Sequence, residues 1–224
     1  MLLAACILLA AVVLHEGGHI LAALSARVPV REVGFGLGRV LLSGHVRGTR
    51  VTLRAFPVGA LVNLDDDAYA RLSPGRKAFL ALAGPLGNVL GAFAALFGLG
   101  LYLGRSLVVG YVFACGVVVA LSGAILRAGV QDLVGPVGFV QAVREAGNLT
   151  GDAAVVLFAA VSLCLGLVNL APVPPLDGSR VAMELAGDRV PRRARLALER
   201  AGWVIVIALM VLVLAADLIR FARR

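Results

Sequence analysis

Charged side chains are scarce in this sequence: Asp, Glu, Lys and Arg make up 15% of its 224 residues, where soluble domains carry about a quarter. With 60% hydrophobic residues and a mean hydropathy of +0.96, that shortage excludes a chain built mainly as a water-soluble domain. Cysteine is rare as well. Cys6, Cys115 and Cys164 all fall in apolar segments, without the paired spacing of a metal site or a disulfide framework. They read as small buried hydrophobes. No internal repeat or low-complexity linker is visible. The apolar first segment lacks the basic n-region and the small-residue cleavage site of a secretory signal, so it is expected to belong to the fold.

What is present is a membrane composition. A hydrocarbon core about 30 Å thick needs roughly 20 apolar residues per helical span. Residues 2–26, 78–103, 106–126, 153–171 and 201–219 meet or approach that length. The expectation is one domain over 1–224, a mainly α-helical integral membrane protein. It has about four core transmembrane helices plus an additional apolar or re-entrant helix. Between the first two helices, residues 31–64 change character: glycines punctuate short alternating runs such as Thr49-Arg50-Val51-Thr52-Leu53-Arg54. Period-two alternation with Gly turns predicts strands, a small membrane-associated β-region. Asp65-Asp66-Asp67 reads as a solvated turn. A second helix is predicted over 73–103, a short outward region with an apolar helix over 104–152, and a third core helix with its following loop over 153–178. Within 130–150, a Gly-Pro-Val-Gly segment and a short amphipathic helix are expected, and 201–219 is the last helix.

A net charge of +8 could suggest nucleic acid, but its distribution points elsewhere. Of 21 Lys and Arg, nine lie from Arg27 to Lys77 and six from Arg180 to Arg200, against three in 104–152. Basic residues flanking spans mark cytoplasmic loops. The loops 27–77 and 178–200 are therefore expected on the cytoplasmic side of a multi-pass protein, with the lipid bilayer and no nucleic acid as partner.

The first span carries His15-Glu16-Gly17-Gly18-His19. On a helix, residues i and i+4 stack on one face, so two imidazoles can bind one Zn²⁺ with the intervening Glu16 close enough to act on its water. Ionisable groups inside an apolar helix cost on the order of 2–3 kcal/mol each without a partner. Three of them in five positions need a common one, and a metal supplies it. A third ligand should come from another helix at the same depth. Asp177 is the best candidate, in the Pro-rich turn Pro172-Val173-Pro174-Pro175-Leu176-Asp177-Gly178 directly after an apolar span. Asp217 is the rival, near the end of the last helix, where snorkelling or pairing with Arg220 is the expectation. If Asp177 meets the histidines, an unpaired span at 106–126 would carry it to the wrong side. That segment is therefore expected to be non-spanning or re-entrant, or else paired with a second crossing near 130–147. Gly17, Gly18 and Gly84 are small enough to permit close helix approach around the site.

Taken together these residues resemble the site-2 protease family of intramembrane zinc metalloproteases, in its bacterial RseP-like branch. His15–His19 is similar to that family's zinc helix. The stretch from Val33-Gly34-Phe35-Gly36 through Phe56-Pro57-Val58-Gly59-Ala60 is similar to its β-region, and Ala83-Gly84-Pro85-Leu86-Gly87-Asn88 to its Gly-Pro-x-x-Asn segment. Gly135-Pro136-Val137-Gly138 and Asn169 through Gly178, with its Leu-Asp-Gly, complete the order. The resemblance implies one Zn²⁺ per chain held by His15, His19 and Asp177, with Glu16 as catalytic base. It implies that Asn88 and Asn169 line the site or steady substrate. It further implies regulated intramembrane proteolysis of single-span membrane proteins. Ser179-Arg180 stand where that branch usually has Gly-His. No PDZ domain fits between Leu103 and Gly135, so a regulatory partner in its place is expected. Substrate is expected to add as a strand to an exposed edge in 49–64, near Val51 and Leu53. The alternative readings are a catalytically inactive zinc-binding scaffold and a metal transporter.

Overall fold

The computed structural model describes residues 2–127, 138, 139, 143 and 150–222. Helix α1 (Leu2–Ser25) leads into two long strands, β1 (Val30–Val46) and β2 (Thr49–Leu64), and a short helix α2 (Asp66–Ala70). Then come α3 (Pro74–Gly104), α4 (Leu107–Arg127), α5 (Gly151–Asn169), α6 (Asp177–Ala186) and α7 (Arg192–Ala222). Among the described residues, α1, α3, α4, α5 and most of α7 are long and apolar enough to cross a membrane. The additional apolar helix is α4, which runs unbroken for 21 residues rather than turning back. The expectations over 130–150, including Gly135 to Val137, lie largely outside the described residues.

Local chemistry sets the helix ends. Pro74 follows Ser73 at the start of α3, where a missing N–H costs nothing. Thr150 accepts from the Ala153 amide to cap α5, and Asp65 accepts from Ala68 to cap α2. The Asp65-Asp66-Asp67 turn is thus a helix start, and Arg31 pairs with Asp65. The basic stretch expected as a loop is mostly helical. Residues 192–200 hold only Arg, Ala, Leu and Glu, all strong helix formers, and run straight into the last span.

Helix α3 is the central element. It packs antiparallel to α1, α4 and α5, through small residues where helices come closest. A Cβ on Gly18 would lie 2.2 Å from the Ala83 carbonyl oxygen, and one on Gly110 would lie 3.0 Å from that of Phe97. Gly17 has open space instead. Ala92, Leu96, Ala114, Ala159 and Leu163 form the buried core between α3, α4 and α5. Helices α4 and α5 both run opposite to α3, and so in the same direction as each other. The last helix meets the Pro-rich turn before α6 where Gly202 faces Pro174; a Cβ there would sit 2.0 Å from the Pro174 oxygen.

The β-region folds back on itself. Val46 to Leu42 pair with Thr49 to Leu53 about an Arg47-Gly48 turn in which both residues have positive φ, 51° and 85°. That backbone matches the twist of a tight hairpin. Val30 to Phe35 pair with Leu64 to Ala60, and Glu32 to Phe35 also lie along Arg50 to Leu53. The spatial order is therefore 40–46, 49–54, 30–37, 56–64. This corrects the expected edge at Val51 and Leu53: Val51 pairs with both Gly44 and Val33, and Leu53 with both Leu42 and Phe35. They sit in an interior segment. Local alternation predicts strands but carries no record of which strand lies outermost.

Candidate metal centre

One turn of α1 separates His15 and His19, whose ring centroids are 4.9 Å apart and nearly perpendicular. Asp177, the first residue of α6, reaches them both. Its Oδ2 lies 3.0 Å from His15 Nε2 and 3.2 Å from His19 Nε2, and the two Nε2 atoms are 3.3 Å apart. Gly178 makes this reach possible: a Cβ there would fall 2.1 Å from the Leu170 carbonyl oxygen, so only glycine lets the first turn of α6 press against the end of α5. The Pro-rich turn reverses the chain, and the Ser179 hydroxyl donates to the Leu176 carbonyl to close the new helix.

The outward nitrogens are already committed. His15 Nδ1 lies 2.7 Å from Asn88 Oδ1 and His19 Nδ1 lies 2.8 Å from the Leu80 carbonyl oxygen. Both partners only accept, so both Nδ1 atoms carry the proton and each neutral ring turns its Nε2 lone pair inward. Two lone pairs and a carboxylate oxygen then converge on one point. Protons on the Nε2 atoms are one way to join them; a divalent cation is the other. Three ligands of tetrahedral zinc, at bond lengths of about 2.0–2.2 Å, stand roughly 3.3–3.4 Å apart. The three atoms here are separated by 3.0–3.3 Å. The donor set and its spacing fit zinc, with a fourth position left for water or substrate. Among the described residues these three alone form such a cluster.

Helix α3 supplies the wall. A Cβ on Gly84 would lie 2.3 Å from His19 Nε2 and 2.8 Å from His15 Nε2, so the backbone of α3 passes directly against the ligands. Pro85, inside the same helix, has no N–H to give the Ala81 carbonyl. Glu16 is half-buried, next in chain to His15 and within electrostatic reach of His19, His15, Asp177 and the exposed Arg180.

The remaining candidates fall elsewhere. Asn88 is fully buried behind His15, away from the open side of the triad. Asn169 Nδ2 donates to Leu165 O in its own helix and has no hydrogen bond to the triad among the described residues. Asp217 sits near the C-terminal end of α7 and is not one of the three clustered ligand candidates. It is 1% exposed and accepts from the Gly138 amide at 2.7 Å, so it neither ligates here nor snorkels. A residue the sequence reading missed is Ser162, fully buried against Asn88. Its only signal was a lone hydroxyl within the apolar run of α5.

The sequence profile of Peptidase family M50 matches residues 3–213. A Campylobacter jejuni protein named as a zinc metalloprotease is 37% identical over 92 residues, 35% of this chain and 25% of that protein. The membrane metalloprotease ARASP of Arabidopsis thaliana, named as chloroplastic, is 30% identical over 98 residues, 38% and 21% of the two chains. An Enterococcus faecalis protein named as the protease eep is 33% identical over 93 residues, 40% and 22%. The chain thus spans about a fifth to a quarter of the length of these relatives.

Proposed function

The chain belongs to peptidase family M50, the site-2 protease family, and from that premise we propose that it is a membrane zinc endopeptidase cutting single-span membrane proteins in regulated intramembrane proteolysis. The observation that carries this reading is the convergence of His15 Nε2, His19 Nε2 and Asp177 Oδ2 within 3.0–3.3 Å of one another. These three would hold one zinc ion. Zinc, once bound, supplies Lewis acidity toward a peptide carbonyl and acidifies a water molecule.

Glu16 takes the proton from the attacking water at its carboxylate and returns it to the departing amine nitrogen. Its position beside the ligand pair, half-exposed while both histidines are committed on their far sides, suits that exchange. Asn169, at the end of the span that leads to Asp177, is the candidate to steady the substrate carbonyl. An extended substrate adds to an outer strand; since Val51 and Leu53 are interior, the segment 56–64 on the far side of β1 takes that role. The basic loops 27–77 and 178–200 face the cytoplasm, and a partner protein regulates access.

A membrane-spanning test peptide and the purified protein in detergent separate the readings. Glu16→Gln is expected to lose about 100-fold or more of cleavage while retaining one zinc per chain, and chelation abolishes wild-type turnover. Glu16→Gln cleaving at the wild-type rate would remove the protease reading. A scaffold would be indifferent to all three ligand substitutions, and a transporter would move zinc without cutting.

A further inference from the structure

We propose that Ser162 and Asn88 form a one-directional hydrogen-bond relay that fixes the tautomer of His15 and so aims its Nε2 lone pair at the metal. The inference rests on the zinc reading above. Both residues are 0% exposed, on different helices, and neither faces the open side of the triad.

Asn88 has three side-chain contacts. Its Oδ1 lies 2.7 Å from His15 Nδ1, and its Nδ2 donates to the Ala11 carbonyl at 3.0 Å and to Ser162 Oγ at 2.9 Å. The Ala11 carbonyl only accepts, so the amide nitrogen must face it. Ser162 is arranged consistently with that choice. Its one hydroxyl proton goes to the Asn88 backbone oxygen at 3.0 Å, leaving only lone pairs for the Asn88 side chain. Turning the amide over would set Oδ1 against the Ala11 carbonyl in a buried site, an unmade hydrogen bond, and would draw the Ser162 hydroxyl away from the Asn88 backbone oxygen. The amide therefore has one orientation. Oδ1 must face His15, Nδ1 must carry the proton, and Nε2 must be bare toward Asp177 and His19.

The two histidines are held differently. His19 is locked by the Leu80 carbonyl, a backbone group within α3. His15 is locked by side chains whose own orientation is set from α1 (Ala11), α3 (Asn88) and α5 (Ser162). Asn88 and Ser162 are positioning residues: they touch neither substrate nor metal, and act through His15. Gly166 makes room for the relay, since a Cβ there would sit 3.1 Å from the Asn88 Cβ and from the Pro85 oxygen.

Zinc affinity of the purified full chain, measured by competition with a chromophoric chelator, tests the relay without any turnover. Asn88→Leu removes the acceptor and should weaken zinc binding about 10–100-fold, as loss of an outer partner of a metal-bound imidazole does. Ser162→Ala should weaken it less. Asn88→Asp keeps an acceptor for Nδ1 while setting its second oxygen against the Ala11 carbonyl, and should bind zinc more tightly than Asn88→Leu. Cobalt substitution adds a spectroscopic check: the visible band should change more in Asn88→Leu than in Asn88→Asp. Wild-type zinc affinity and cobalt spectrum in both Asn88→Leu and Ser162→Ala would overturn the relay while leaving the zinc reading intact. If Asn88→Leu fails to fold, by helical signal and a dispersed elution profile, unchanged affinity in Ser162→Ala is sufficient to overturn it. A wild-type chain that takes no zinc would remove the zinc reading and the relay with it.

Discussion

Replacing Gly84 with alanine adds a single methyl, and the structure fixes where it goes. The new carbon would sit 2.3 Å from His19 Nε2 and 2.8 Å from His15 Nε2. Comfortable contact is about 3.5 Å, so the methyl overlaps the His19 ring by more than 1 Å. Neither ring has an easy retreat. His15 is tied through Nδ1 to Asn88 and His19 to the Leu80 carbonyl, both on the helix that carries the methyl. If α3 moves instead, the hydrogen bond from His15 to Asn88 opens. Metal–ligand distances tolerate deviations of only about 0.2 Å. Overpacking of this kind costs about 1–3 kcal/mol, and charged to metal binding it weakens zinc by roughly 5- to 140-fold at 1.4 kcal/mol per decade. The assay is a competition titration with a chelating dye on Gly84→Ala, with Gly98→Ala as control on the same helix, where the added Cβ meets nothing within 4 Å. Helical content should be unchanged in both. Equal zinc affinity in wild type and Gly84→Ala would refute the placement of α3 against the ligands.

Other substitutions separate fold from site. Gly18→Ala would put a methyl 2.2 Å from the Ala83 oxygen, a backbone atom that cannot swing aside; thermal unfolding should show a loss of about 1–3 kcal/mol. Asp177→Ala should abolish stoichiometric zinc while leaving the helical signal, since the loss falls on one ligand of three; full zinc content would contradict the triad. Val51→Pro should destabilise the β-region as a whole, because Val51 pairs on both sides; limited proteolysis of 30–64 reads this out. In the same sheet, hydrogen bonds from Thr52 and Arg54 hold the Glu32 carboxyl below its ordinary value. A depressed folded-state value contributes stability above the unfolded pKa that is lost as pH falls through the folded one. Thr52→Val should therefore reduce the β-region's stability near neutral pH and make it less acid-sensitive below pH of about 4. An identical acid profile in the two proteins would argue against that coupling.

Much of this arrangement is legible in the sequence because membrane insertion is a coarse constraint. Apolar runs long enough to span, basic flanks and glycine-punctuated alternation each follow from local composition, and they place α1, α3, α5 and the β-region within a few residues. The spacing of His15 and His19 sets both rings on one helical face, and the Pro-rich turn marks Asp177 as a carboxylate beyond a broken helix. What stayed hidden depends on long-range geometry. The order of the four strand segments arises from a chain that doubles back three times, so Val51 and Leu53 look like an edge and are not one. Ser162 carries no periodic signal, and its meaning appears only once Asn88 lies 2.9 Å away. The Arg-rich stretch after Pro191 reads as a loop by charge, yet continues the last helix because every residue in it favours that backbone.

The two imidazoles and the carboxylate that face each other are separated by 158 and 162 positions in the chain. At about 5–20 residues per second on a ribosome, the interval between the appearance of His19 and that of Asp177 is roughly 8 to 32 s. During that window a nascent chain has only a bidentate, weakly chelating helix to offer the cell's metals. On the zinc reading proposed above, ion capture would be a late event of biogenesis, waiting on the one carboxylate that completes the cluster.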